Sequence, residues 1–398
     1  MAKVHALRVA SAAEAPAPPQ PPAQLNLLTG QAEAVVIPLE REFEAEEHRV
    51  DEGILLVKNG DGSQLIVSGF GLFLGKKSER LLVRKGKKEV IYEFPLFRLN
   101  EVTVASNGVS LSSDLVCELS ERGVQLNFLA SSGKPYAKLT SPTLTAVVAA
   151  RREQISALDD SRAVEFARQV VAGKLANQRR LLKYFGKYLK QTDPEAFGRV
   201  EAVCRRLKGL AQQVREVTGA NIEEARGQLM GLEGVSGRLY WDGVKEIIAD
   251  RATFLGRVNR GATDEVNSML NYGYGILYAQ VWGAVVTAGL EPFIGFLHVD
   301  RPGKPSLVLD LVEEFRQPVV DRAVIAHVNL GVAVKMENGL LDVSTRQALA
   351  GKVLERLEAK ETYGGRKYQI RSIIQLQARN LAAFLRGERP YKPFAFKW

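Results

Sequence analysis

The chain has 398 residues, with 54 Lys+Arg against 45 Asp+Glu, for a formal net charge of +9. Hydrophobic residues at 46% and charged residues at 25% are ordinary for a water-soluble globular protein, which excludes a fully disordered chain, a collagen-like fibre and a multi-span membrane protein. Two cysteines, Cys117 and Cys204, neither in a CxxC pair, exclude a disulfide scaffold and a zinc finger and fit a reducing cytoplasm.

Ser11–Ala23 (SAAEAPAPPQPPA) is rich in Ala and Pro, too poor in burial capacity to fold, and is expected to be a mobile tail. Leu39–Glu52 is acidic, so residues 1–52 read as an extension lying outside the compact fold. That extension carries four Lys+Arg and nine Asp+Glu, which leaves +14 on the remainder and favours a polyanionic partner. Residues 53–140 read as a β-rich domain. Ile54–Val57 runs into the turn cluster Asn59-Gly60-Asp61-Gly62, and Leu65–Leu74, Leu81–Val83 and Val90–Phe94 follow as further strands. One helix is predicted from Leu111 to Glu121, stopping at Gly123. Val124–Leu129 and Tyr136–Leu139 then close the region as short strands.

Ser141-Pro142 supplies an N-cap and a first-turn proline, and from there apolar residues recur at helical spacing, as in Phe166/Val170, Leu175/Leu182 and Leu381/Leu385. The fold class is therefore α+β: a small N-terminal β-rich domain followed by a larger all-α-helical domain over 141–398. Loops are expected at Gly231–Gly237, Gly289–Ser306 and Glu361–Arg366. Ile276–Leu297 is the most apolar stretch, but Gln280, Thr287, Glu291 and Pro292 interrupt it, so it reads as a buried helix and a turn. The glycines of NYGYGILYAQVWGAVVTAGL form no phosphate loop and are expected to permit close packing.

His298 precedes Asp310 and Glu313, which are three residues apart and share one helix face. Like charges at that spacing repel by roughly 0.2–0.5 kcal/mol, so a cation should compensate. Two compensators stay open on spacing alone: an ion network with Arg301, Arg316 and Arg322, or a divalent ion held by carboxylates and imidazole. His327, in the apolar run VIAHVNLGVAV, reads as a satisfied core histidine. Basic residues cluster at Lys76–Lys88 and along Arg168–Lys190, where Lys174 and Arg179 are candidate phosphate contacts.

The segment LNYGYGILYAQVWGAVVTAGLEPFIGFLHVDRPGKPSLVLDLVEEFRQPVVDRAV resembles the core of the CRISPR-associated spacer-acquisition integrase family. The likeness continues through GLEGVSGRLYW, KLANQRRLL, GVSLSSDLVCELSERGVQLNFLASSGKPYAKLTSP and QARNLAAFLRGERPYKPFAFKW, roughly Leu65 to Trp398. The resemblance implies a DNA endonuclease/integrase that inserts captured fragments into a CRISPR array by 3′-OH transesterification. It implies a Mg²⁺ or Mn²⁺ site at Glu233, His298 and Glu313, with Asp310 as the additional acid. Arg301 and Lys304, in the loop after His298, are candidate DNA contacts. The resemblance also implies a homodimer formed through the β domain, with a small CRISPR-associated partner bridging two dimers on double-stranded or branched DNA. Two other classes remain: a nuclease that resolves branched DNA without joining it, and a non-catalytic DNA-binding scaffold.

Overall fold

The computed structural model describes residues 24–25, 32–33, 46–51, 53–59, 62–86, 89–139, 148–249, 251–259 and 261–397. The chain divides into two units, Met1–Phe43 and Glu44–Trp398. In the first unit, β1 (Gln24–Leu25) and β2 (Ala32–Glu33) form a short antiparallel ladder. The tail Ser11–Ala23 and the start at Ser141-Pro142 lie outside the described residues.

The second unit begins with six strands: β3 (Glu46–Asp51), β4 (Ile54–Asn59), β5 (Gly62–Val67), β6 (Leu72–Lys77), β7 (Arg80–Lys85) and β8 (Glu89–Pro95). They are followed by β9 (Leu99–Val104), β10 (Ser110–Leu111), helix α1 (Ser113–Glu121), β11 (Gln125–Leu129) and β12 (Pro135–Leu139). One sheet has the order β10-β6-β7-β8 and the other β12-β11-β9-β5-β4-β3. Alternation along β4 and β5 explains why ILLV and LIV carry no polar residue. Ile54, Leu56, Leu65 and Val67 enter a core shared with the smaller sheet and α1, while Leu55 and Ile66 enter the helical core. Over these residues β4 and β5 are thus buried on both faces, which demands continuous apolar runs.

The strand β3 corrects the boundary expected at residue 52, because it pairs antiparallel with β4. Its acidic sequence is compatible with the position it takes, since an edge strand keeps one flank toward solvent. The long apolar run Leu65–Leu74 divides into two strands at Gly69-Phe70-Gly71, where Gly71 has φ +72°.

The helices after the β region are α2 (Val148–Ser156), α3 (Ser161–Gly186), α4 (Leu189–Thr192), α5 (Pro194–Glu216) and α6 (Ile222–Ile248). They continue with α7 (Glu265–Thr287), α8 (Ser306–Val312), α9 (Arg322–Asn329), α10 (Val343–Glu358) and α11 (Ile370–Leu385). Asp160, Asp193, Asn221, Asp264 and Asp342 accept first-turn N–H groups, so polar caps set half of these starts. Two hairpins interrupt the helical region: β13 (Met336–Glu337) with β14 (Leu340–Leu341), and β15 (Lys360–Tyr363) with β16 (Arg366–Gln369). The second occupies the expected loop at Glu361–Arg366. Gly364 and Gly365, at φ +56° and +84°, make the tight turn that paired strands favour.

The expected loop at Gly231–Gly237 is instead the middle of α6. Glycine costs about 1 kcal/mol relative to alanine inside a helix, so GLEGVSG reads as a break in propensity, and packing overrides it. The glycines of α7 do permit a close approach, and the partner is the β region as well as a helix. A Cβ on Gly275 would stand 1.5 Å from the Gly133 carbonyl oxygen in the β11–β12 turn, and one on Gly273 would meet Val320. His327 is buried, yet its Nε2 has no partner among the described residues. Among the described residues no helix is long and apolar enough to cross a membrane.

Candidate metal centre

After α7 the chain turns at Gly289 (φ +76°) and runs as a loop to α8, with His298 near its middle. Asp310 on α8 is fully buried and gathers that loop around itself. Its Oδ2 accepts the N–H groups of Phe296 (2.6 Å) and Leu297 (3.0 Å), and its Oδ1 accepts the N–H of His298 (2.9 Å). The same Oδ1 stands 2.7 Å from His298 Nδ1. A carboxylate so placed fixes the proton on Nδ1 and leaves the lone pair of Nε2 for a ligand, the relationship found behind metal-binding histidines.

Glu313 follows at the C-cap of α8 and is 2% exposed. Its Oε2 lies 2.6 Å from Lys174 Nζ and its Oε1 lies 3.3 Å from an Arg316 guanidinium nitrogen. Burial alone would raise its pKa, but the Arg316 and Lys174 charges outweigh burial and pull it down to about 2. Glu233 projects from the middle of α6 and pairs with the same Lys174 ammonium. Lys174 sits on α3 and is 5% exposed. Burial disfavours its charge, and Glu313 and Glu233 more than offset that, so its pKa lies above the usual lysine value.

Glu233, Glu313 and Lys174 therefore meet at one point, and His298 with Asp310 adjoins it through Glu313. Lys174 departs from its expected place on a phosphate-facing surface: it is turned inward because two acids are there to receive it. Arg179 is half-exposed, further along α3. Arg301 is exposed and Lys304 half-exposed, on a turn closed by Lys304 N–H donating to the Arg301 carbonyl (2.9 Å), with Gly303 at φ +73°. The arginine network also exists in part, but inside the protein. Arg316 pairs with Glu313, and its guanidinium lies 4.9 Å from the centre of the Tyr274 ring. The Tyr274 hydroxyl donates to buried Asp321, which also accepts from Tyr240 (2.7 Å). A π-helical turn, Arg316–Asp321, places these two charges; Pro318 within it lacks the N–H that a regular helix would need.

Two carboxylates and an imidazole nitrogen, if brought together, would make an oxygen-rich donor set of the kind that suits Mg²⁺ or Mn²⁺. Among the described residues no three His, Cys, Asp or Glu side chains stand close enough together to hold a metal ion, and the Lys174 ammonium pairs with both acids. Beyond Arg316 opens a cavity of about 1390 Å³ between the β11–β12 turn and α7. Lys134, Lys138, Arg257 and Arg316 line it together with Tyr278 and Trp282, and no described acid does. Burial pushes the Lys138 ammonium down to about 8, with Glu101 opposing the shift.

Comparison with known proteins decides the family: the family model described as CRISPR associated protein Cas1 matches residues 65–355. The chain belongs to the Cas1 family. The CRISPR-associated endonuclease Cas1 1 of Francisella tularensis subsp. novicida is 38% identical over 334 residues, covering 84% of this chain and 99% of that protein. Two solved structures share the fold. One is a casposase bound to integration product, with TM-score 0.72, 22% identity, and 83% of this chain and 93% of that one covered. The other is a Cas6-RT-Cas1–Cas2 complex, with TM-score 0.68, 21% identity, and 85% of this chain and 36% of that one covered. Membership of the family agrees with the α+β organisation read from the residues. Lys174 is the site residue whose part sequence reasoning missed; Arg316 was named there as a compensating cation, and it does pair with Glu313. The i,i+3 spacing of Glu313 and Arg316 was a usable signal for that pair; nothing local signals Lys174.

Proposed function

We propose that the chain is a divalent-metal-dependent DNA endonuclease and integrase that inserts captured DNA fragments into a CRISPR array. The observation that carries this reading is His298, its Nδ1 held by Asp310 three residues before Glu313, which shares the Lys174 ammonium with Glu233. Glu233, His298 and Glu313 would hold Mg²⁺ or Mn²⁺, which would supply Lewis-acid charge for the scissile phosphate and favour ionisation of an attacking hydroxyl. The reaction is a transesterification: the oxygen of a free 3′-OH forms a bond to phosphorus as the opposite P–O bond breaks, so the number of phosphodiesters is unchanged.

The chain's own residues prepare that event. Asp310 orients His298 through four contacts to one loop. Arg316 holds the Glu313 carboxylate from the side opposite Lys174. Arg301 and Lys304, on their turn, and the acid-free cavity with its four cations supply sequence-independent attraction for the DNA backbone. Exposed Phe70 (85%) and Phe97 (68%) on the β region support a homodimer formed there, with a small adaptation partner bridging two dimers.

Purified protein incubated with Mn²⁺ or Mg²⁺ and a 3′-OH-bearing DNA plus a repeat-containing target is expected to yield joined product. Glu233→Ala and His298→Ala are expected to abolish it. Unchanged joining in either variant would remove the site assignment. Nicking of branched DNA without joined product would favour the resolving-nuclease reading, and DNA binding indifferent to EDTA with no product would favour a scaffold.

A further inference from the structure

The mechanism above gives Lys174 no task, although it is the most deeply placed cation of the site. A lysine this buried is rare unless paired, and its partners here are the two acids assigned to the metal. One ammonium between two carboxylates does in the metal-free protein what a divalent ion does in the loaded one: it cancels their repulsion and keeps them convergent. The four side chains Glu233, Glu313, Lys174 and Arg316 are then electrically balanced. Adding a divalent ion while both cations stay would leave the cluster doubly positive, and the ammonium already occupies the gap between the ion's carboxylate ligands. Only one side of this gap is open. The Glu233 side chain is 24% exposed, against 3% for Glu313. A lysine suits such a position, being a point charge on a flexible stem, whereas an arginine fork would grip both acids.

We propose that Lys174 is a resident cation: it holds Glu233 and Glu313 in register without metal, and gives way toward the Glu233 side when Mg²⁺ or Mn²⁺ enters. This rests on the metal reading of the site. Metal loading is then an exchange of one cation for another, and its affinity is set by how firmly the lysine is held.

Calorimetric titration of the DNA-free protein with MnCl₂, together with thermal unfolding in EDTA and in Mn²⁺, tests it without using activity. Wild-type protein is expected to bind Mn²⁺ at a site that His298→Ala removes. Lys174→Met is expected to bind at least about tenfold tighter, and Lys174→Arg at least about tenfold weaker. Lys174→Met should also unfold at lower temperature than wild type in EDTA and recover in Mn²⁺. Wild-type binding that persists while Lys174→Met binds no tighter would overturn the exchange and leave the metal site standing. No Mn²⁺ binding sensitive to His298→Ala would instead overturn the metal reading itself. Should Lys174→Met fail to fold in EDTA, folding restored by Mn²⁺ supports the exchange, and Lys174→Arg with wild-type affinity overturns it.

Discussion

Glu313 and Glu314 are chain neighbours, both almost inaccessible to solvent, and the protein treats them in opposite ways. Glu313 faces Lys174 and Arg316, and their charge draws its pKa down to about 2. Glu314 meets no cation among the described residues. Its carboxylate accepts from Gln377 Nε2 (2.6 Å), the Tyr391 hydroxyl (2.5 Å) and the Phe394 N–H (2.7 Å). Burial pushes its pKa up to about 7, with those three bonds resisting. Asn177 completes the second environment by donating to the carbonyls of Glu314 (2.8 Å) and Phe394 (3.0 Å) and accepting from Phe396 N–H (3.2 Å). One carboxylate is thus kept ionised, and its neighbour ties the C-terminal segment that carries Tyr391 and Phe394, a strap, to the turn that carries the first. The lesson is that burial alone does not decide the state of an acid; the sign of its partners does.

The sharpest way to break the comparison is to neutralise each acid without changing its shape. Glu313→Gln removes a charge that the site stabilises. It is expected to lower strand joining at least about 100-fold, and to cost on the order of 3 kcal/mol of stability in EDTA at pH 7, read by urea unfolding. Joining within a few-fold of wild type would mean that Glu313 is only a structural ion-pair partner.

How far this was visible in the residues depends on range. Capped helices, the glycine turns and the division into β-rich and helical regions follow from local patterns, and Asp310 and Glu313 share a face by spacing alone. His298 was singled out by its place before Asp310 and Glu313, and Glu233 only through the family resemblance. Glu233 in particular was disguised by Gly231 and Gly234, whose poor helix propensity suggests a loop where α6 runs unbroken. The strand β3 was hidden by its acids. Lys174 lay within a basic, helical run that looks like any solvated face, and only the packing of α3 against α6 and the loop before the π-helical turn turns it inward. Partners far apart in sequence leave no periodic trace.

Glu314→Gln should act in the opposite sense to Glu313→Gln, and pH separates them. An unfolded glutamate titrates near 4.5. For Glu314 the folded protein keeps a proton between about pH 4.5 and 7 that the unfolded chain has released, so stability falls as pH rises through that window. For Glu313 the unfolded chain binds the extra proton, so its contribution is complete above about pH 4.5 and is lost as pH falls toward 2. Glutamine mimics the protonated Glu314: its amide can donate to the Tyr391 oxygen while its carbonyl accepts from Gln377 and Phe394. Glu314→Gln is therefore expected to stabilise by roughly 1–3 kcal/mol at pH 8 and to change little at pH 5. Equal effects at both pH values, in urea unfolding in EDTA, would show that Glu314 is ionised throughout.

Tyr391→Phe probes the same anchor at its edge and should have the smallest effect. The ring stays in place against Phe166, with centroids 4.9 Å apart, so only the hydroxyl's bonds to Glu314 and to Gln377 Nε2 (3.2 Å) are lost. A single hydrogen bond is worth about 1 kcal/mol, and more when its acceptor is charged. The loss should therefore be larger at pH 8, where Glu314 is an anion, than at pH 5, where it is neutral. With one donor gone the Glu314 pKa rises further, and the fall in stability with pH extends past 7. Strand joining should stay near wild type, because the hydroxyl touches Glu314 and not Glu313. A joining defect as large as that of Glu313→Gln would show that the strap and the site cannot be separated, and that the two acids act as one unit.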